Sequence, residues 1–129
     1  MIVNISAIIF TILSAILVLF QLGLTLGMPW VEASMGGKFP GKYPPKMRIV
    51  SLINSFILSL IATVVLIKAE LLLPQYKSYA NVAVYFVVAF SAVATILNIL
   101  TPSKIERKIW APVATLLLIT SIIVAFISV

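Results

Sequence analysis

The sequence contains no cysteine, no histidine and no aspartate, and its only carboxylate side chains are Glu32, Glu70 and Glu106. Each absence removes a class of chemistry. Without cysteine there are no disulfides, no thiol nucleophile and no thiolate metal site. Without histidine there is neither an imidazole ligand for zinc or haem nor the usual general base near neutral pH. A Ser-His-Asp triad within one chain is excluded twice over. Charge is equally scarce: 9% of the 129 residues are charged, against 63% apolar. A water-soluble domain of this length needs far more polar surface, so the composition is that of a membrane protein.

The few charges mark segment ends. No charged side chain occurs in Met1–Val31, Ile49–Ile67, Ser78–Ser103 or Ile109–Val129. Each stretch supplies the roughly 20 residues that a helix needs to cross about 30 Å of hydrocarbon. The runs are continuous rather than alternating, which argues for helices and against a β-barrel wall. The expected fold is therefore all-α: an integral-membrane, antiparallel four-transmembrane-helix bundle in a single domain, 1–129. The helices are placed near 4–28, 49–69, 79–100 and 109–129. The first segment, beginning MIVNISAIIF, has no basic leader and no clear small-residue cleavage site, so it is read as a retained helix rather than a signal peptide.

Nine basic residues give a net charge of +6. Lys38, Lys42, Lys46 and Arg48 follow the first segment, and Lys104, Arg107 and Lys108 follow the third. The connection after the second holds only Lys68 and Lys77. The positive-inside rule then places connections 29–48 and 101–108 in the cytoplasm, with both termini outside. This distribution is explained by orientation and by anionic membrane lipid, not by nucleic acid.

The fourth segment opens TPSKIERKIWAP. Thr101 suits a helix cap and Pro102 a first helical position. Pro112 lies about ten residues further on, where it cannot donate a hydrogen bond to Lys108. The expectation is a short basic interfacial segment over about 102–110, a bend, and a membrane helix from about 112. A single slightly kinked helix is the alternative. Trp110 is expected at headgroup depth, with Arg107 and Lys108 contacting lipid. Glu106 is read as part of a solvated face, and Glu70 as an exposed ion-pair partner of a neighbouring lysine.

Inside lipid, helices associate through small residues and a few hydrogen bonds. The second segment carries Ser51, Ser55, Ser59 and Thr63 at four-residue spacing, and the fourth carries Ala114, Ser121, Ala125 and Ser128. The first offers Thr11, Ser14, Gln21 and Thr25; the third offers Ala83, Ser91, Thr95 and Asn98. The main reading of these faces is packing; a conduit lining is the lesser one. The strongest polar groups, Gln21, Asn54 and Asn98, all fall near the cytoplasmic helix ends. They can converge at one depth with the first connection or act as three separate bundle-stabilising amides. No ionisable residue falls at the bilayer midplane, which disfavours a proton-coupled carrier or an ion pump.

The first connection, GMPWVEASMGGKFPGKYPPKMR, holds four of the seven prolines. Trp30 suits the membrane interface, and Lys38, Lys42, Lys46 and Arg48 suit anionic headgroups. Gly36-Gly37 permits a tight turn or an anion-binding nest but lacks phosphate-loop spacing. An interfacial anchor is the first reading. A ligand-binding loop using Glu32, Gly36 and Gly37 beside Gln21, Asn54 and Asn98 is the second.

The stretch PWVEASMGGKFPGKYPPKMRIVS resembles the PWG…GG…LP…R…S connection of small uncharacterised bacterial membrane proteins with four predicted helices. Pro29-Trp30, Gly36-Gly37, Pro45, Arg48 and Ser51 carry the match; Val31 stands in place of the usual glycine, and Pro44-Pro45 in place of Leu-Pro. RKIWAPV, Arg107 to Val113, resembles that family's RxxWxPV entry to its last helix. The resemblance implies only that the loop and the last-helix entry belong to one recurring architecture, and it implies no activity. Small multidrug exporters, by contrast, need a membrane-embedded Glu in the first helix, and FTILSAILVLFQL has none. Quinone-linked thiol oxidoreductases need cysteines. Fluoride channels resemble the chain in length only.

The sequence thus points to a small membrane protein acting without chemistry, as a structural, accessory or binding component. It needs no cofactor, and its expected partners are anionic lipid and a second copy or another membrane protein. An oligomeric channel or transporter subunit with a polar site at the cytoplasmic side is the alternative, because one short bundle is expected to enclose little volume. A lipid-acting enzyme using Glu32 with a nearby Lys or Arg is the third reading.

Overall fold

The computed structural model describes residues 1–28, 44–101 and 104–127. Four helices of 24 residues each, α1 (Ile2–Thr25), α2 (Pro45–Lys68), α3 (Lys77–Leu100) and α4 (Lys104–Ile127), form an antiparallel bundle. All four are long and apolar enough to span a membrane. One 3-10 turn, Pro74–Tyr76, leads into α3. The outward faces suit hydrocarbon rather than water: Phe56 on α2 and Phe86 on α3 are 70% and 72% exposed.

The helix ends follow from local chemistry. Pro45 occupies the first turn of α2, where a missing N–H costs nothing, so α2 starts earlier than the boundary near 49 read from charge. α1 ends in a left-handed cap: Gly27 has φ +88°, its N–H reaches the Leu24 carbonyl, and the Met28 N–H reaches Gly23. α2 ends the same way, with Glu70 at φ 64° and the Leu71 N–H on the Leu66 carbonyl. A glutamate in that conformation is unusual, because its Cβ crowds the backbone.

α4 differs from the sequence expectation. It runs unbroken from Lys104 through Pro112 to Ile127, so residues 104–110 are its first two turns rather than a separate interfacial helix. Pro112 removes only one hydrogen bond, and the Lys108 carbonyl it leaves lies near the helix entrance.

α1–α2 and α3–α4 are the closest pairs, followed by α1–α4. α2 and α3 are adjacent but pack more loosely, and α2–α4 is a diagonal. Ala7, Phe10, Val65, Ala69, Val84, Val87, Leu117, Val124 and Ala125 form one buried cluster. They come from the first half of α1, the ends of α2 and α4, and the first half of α3. The bundle is therefore filled at the end carrying the α2–α3 connection. There the Lys68 ammonium donates to the Asn81 side-chain carbonyl at 2.8 Å, and Lys77 pairs with exposed Glu70. At the opposite end the cluster is small: Leu24 with Phe20 and Met47 around it.

Candidate functional site

The loosely packed end holds a cavity of about 560 Å³. On α1 its wall runs from Phe10 to Gln21, about 17 Å at about 1.5 Å per residue, or roughly half the hydrocarbon thickness. Small side chains line the wall where large ones would fill it: Ser14, Ser51, Ser91, Ala94 and Ala114. The neighbouring α2 and α3 also pack more loosely than the other adjacent pairs.

The cavity has one closed end and one open side. Phe10 and Leu117 form its floor and belong to the buried cluster, which contains Val65, Val84 and Val124 at 0% exposure. Its side opening is apolar. Val50 and Ile57 on α2 and Phe90 and Leu97 on α3 line the cavity and are also exposed on the outer surface. These four residues form the apolar α2–α3 side of the cavity.

Polar groups occupy its inner wall. Gln21, Asn54 and Asn98, expected to meet at one depth, do line one cavity. Their hydrogen bonding differs. The Asn98 amide donates to the Ala94 carbonyl of its own helix at 2.7 Å. Gln21 and Asn54 have no side-chain hydrogen bond among the described residues, nor does the buried hydroxyl of Ser14. Ser51 and Ser91, also in the wall, are 1% and 3% exposed. Unpartnered amides in an otherwise apolar cavity are costly unless something meets them.

The serine stripe of α2 divides between two surfaces. Ser51 lines the cavity, whereas Ser55 and Ser59 line a separate shallow groove against Val18 and Leu22 of α1. The stripe's hydroxyls are satisfied within the helix: Ser55 donates to the Ser51 carbonyl, Ser59 to Ser55 and Thr63 to Ser59, at 2.9–3.0 Å. Its value is small size, not cross-helix bonding.

Two residues read as surface groups belong to the cavity wall. Trp110 is half-buried, with its ring 4.8 Å from that of Phe20. Glu106 is half-buried at the mouth instead of lying on a solvated face. The signal was present in the spacing. Residues 106, 110, 113, 114 and 117 share one face of α4, and a charge run hid that stripe.

The described basic residues of this end do not line the cavity. Arg107 donates to the Thr101 carbonyl at 2.8 Å, at the C-terminal cap of α3. A Cβ added to Gly27, at the end of α1, would meet the Arg48 guanidinium at 2.8 Å, so Arg48 lies over that helix end. Both arginines hold positive charge against the negative end of a helix, and each is the fourth residue of the helix that follows. Lys46, Lys104 and Lys108 are exposed. Trp30, Glu32, Gly36, Gly37, Lys38 and Lys42 lie outside the described residues, and so does the ligand-binding role assigned to that loop.

Comparison of the chain with protein-family models, with curated proteins and with solved structures finds no match.

Proposed function

We propose that this protein is a non-enzymatic binding component of a bacterial inner membrane that holds a lipid-like molecule in its interhelical cavity. The observation that carries the reading is the pairing of apolar residues of α2 and α3 with the side-chain amides of Gln21 and Asn54 in the wall of one cavity. A molecule with a hydrocarbon body and a polar head matches both. The volume falls within the range of about 300–1,000 Å³ typical of ligand sites. Charge distribution supports placing the open end on the cytoplasmic side, with both termini outside.

The packed floor disfavours a conduit through one chain, since Phe10 and the cluster behind it close the bundle. The enzyme reading rests on Glu32, and no observation favours it.

The test is gentle detergent extraction followed by native mass spectrometry. Wild-type protein is expected to retain lipid at collision energies that strip detergent. Ala94→Phe, which fills the cavity from a half-buried wall position, should lose it. Identical adducts on both proteins, or none on wild type, would overturn the reading.

A further inference from the structure

We infer that the molecule held is an uncharged amphiphile, a neutral lipid whose head carries hydroxyl or carbonyl groups, and not an anionic phospholipid. This rests on the binding role proposed above and specifies its ligand.

The chemistry of the wall carries the inference. Among the described residues no lysine or arginine lines the cavity. Its polar groups are amides and hydroxyls, and its one ionisable member, Glu106 at the mouth, has the same sign as a phosphate. Gln21 and Asn54 each offer two donors and an acceptor oxygen, which suits a head that both gives and accepts hydrogen bonds. A phosphate drawn to this depth would be desolvated with no lysine or arginine of the described wall to meet it.

The described basic residues of this end do not change that conclusion. Arg107 is committed to the Thr101 carbonyl, and the Arg48 guanidinium is stationed over Gly27. The exposed lysines meet anionic headgroups at the bilayer surface, where any bulk anionic lipid serves equally. Selection therefore operates inside the cavity, on a neutral head, while the chains leave between α2 and α3.

Trp110 in the wall provides the readout. In a Trp30→Phe background it is the sole tryptophan. The protein is reconstituted in phosphatidylcholine vesicles. Dioleoylglycerol or dioleoyl phosphatidic acid, each brominated on its chains, is added as a quencher; the two differ only by the phosphate. Brominated dioleoylglycerol is expected to quench saturably at low mole fraction, and the phosphatidic acid only in proportion to its bulk share. Asn54→Leu should raise the half-quenching mole fraction of the neutral lipid about tenfold, as for a lost buried hydrogen-bond partner. Gln21→Met, close in shape, should do the same if Asn54→Leu does not fold, and Ser59→Ala on the outer groove should change nothing. Equal or stronger saturable quenching by phosphatidic acid would overturn the neutral-head assignment and leave the binding role standing. No quenching beyond bulk by either lipid would overturn both. Saturable quenching by the neutral lipid that both amide variants leave unchanged would overturn the assignment of the head to the amides.

Discussion

The least satisfied atom of the described chain is also one of its most buried. The Ser14 hydroxyl has no partner, although a helical serine can donate to the carbonyl four residues back, as Ser55 and Thr11 do. Removing it should help an empty bundle. Ser14→Ala is expected to raise stability by about 1 kcal/mol, the cost of an unmade buried hydrogen bond, in thermal unfolding of delipidated protein. A fall in stability would show that the hydroxyl is partnered. Glu70, at the opposite end, presents a different case. The hydrogen bond from Lys77, and then its positive charge, hold the Glu70 carboxyl below its ordinary value of 4.5. A lowered folded-state value means that the pair's contribution is complete above the ordinary value. It is lost as pH falls through the lowered one. Because Glu70 is exposed the effect is small, and Glu70→Gln should flatten only the acid limb of the stability profile. A steeper acid limb in the variant would contradict this.

At the scale of the helix, four-residue spacing identified which residues share a face, but not which neighbour that face meets. Ser51, Ser55 and Ser59 read as one stripe; in the bundle they meet the cavity, α1 and the outer surface in turn. Ser55 is 5% exposed and Ser59 lies at the surface. Ser55→Leu should therefore push α1 and α2 apart and cost about 1–3 kcal/mol by overpacking. Ser59→Leu should be near neutral. Thermal unfolding in detergent distinguishes them, and equal costs would mean that the stripe acts as a unit. Pro112 carries a similar lesson. Its position allows either a bend after residues 102–110 or a single helix, and α4 takes the second course, running through Pro112 unbroken. Helix geometry also explains a regularity that the residue list alone conceals. Ser14 and Gln21 on α1, and Ser91 and Asn98 on α3, are both seven residues apart, or two turns. Each pair thereby presents one hydroxyl and one amide to the same cavity.

For the whole molecule the decisive feature is asymmetry along the bundle axis. One half is filled by Phe10, Val65, Val84, Leu117 and Val124, and the other is held open by serines and alanines. Such a shape fits the proposed binding from the side better than passage through the bundle. Vesicles carrying the protein should show no small-ion or glycerol flux above protein-free vesicles in stopped-flow or electrical recording. Saturable flux lost in Ala94→Phe would replace binding with conduction as the function.

Composition and charge placement by themselves determined the membrane environment, the all-α class and the number of crossings. Those properties depend on transfer of a chain from water to hydrocarbon, and this transfer is read one segment at a time. Local chemistry also went some way in placing the polar residues: Gln21, Asn54 and Asn98 were legible as belonging to one half of the bundle, because helix length converts position in sequence into position along the bundle. What only the tertiary structure decided is lateral: that α2 and α3 pack more loosely than the other adjacent pairs, that Glu106 and Trp110 turn inward, and that both arginines lie at helix ends outside the cavity. Rotation and spacing of helices in lipid depend on how side chains of different segments interlock, and no single segment carries that information.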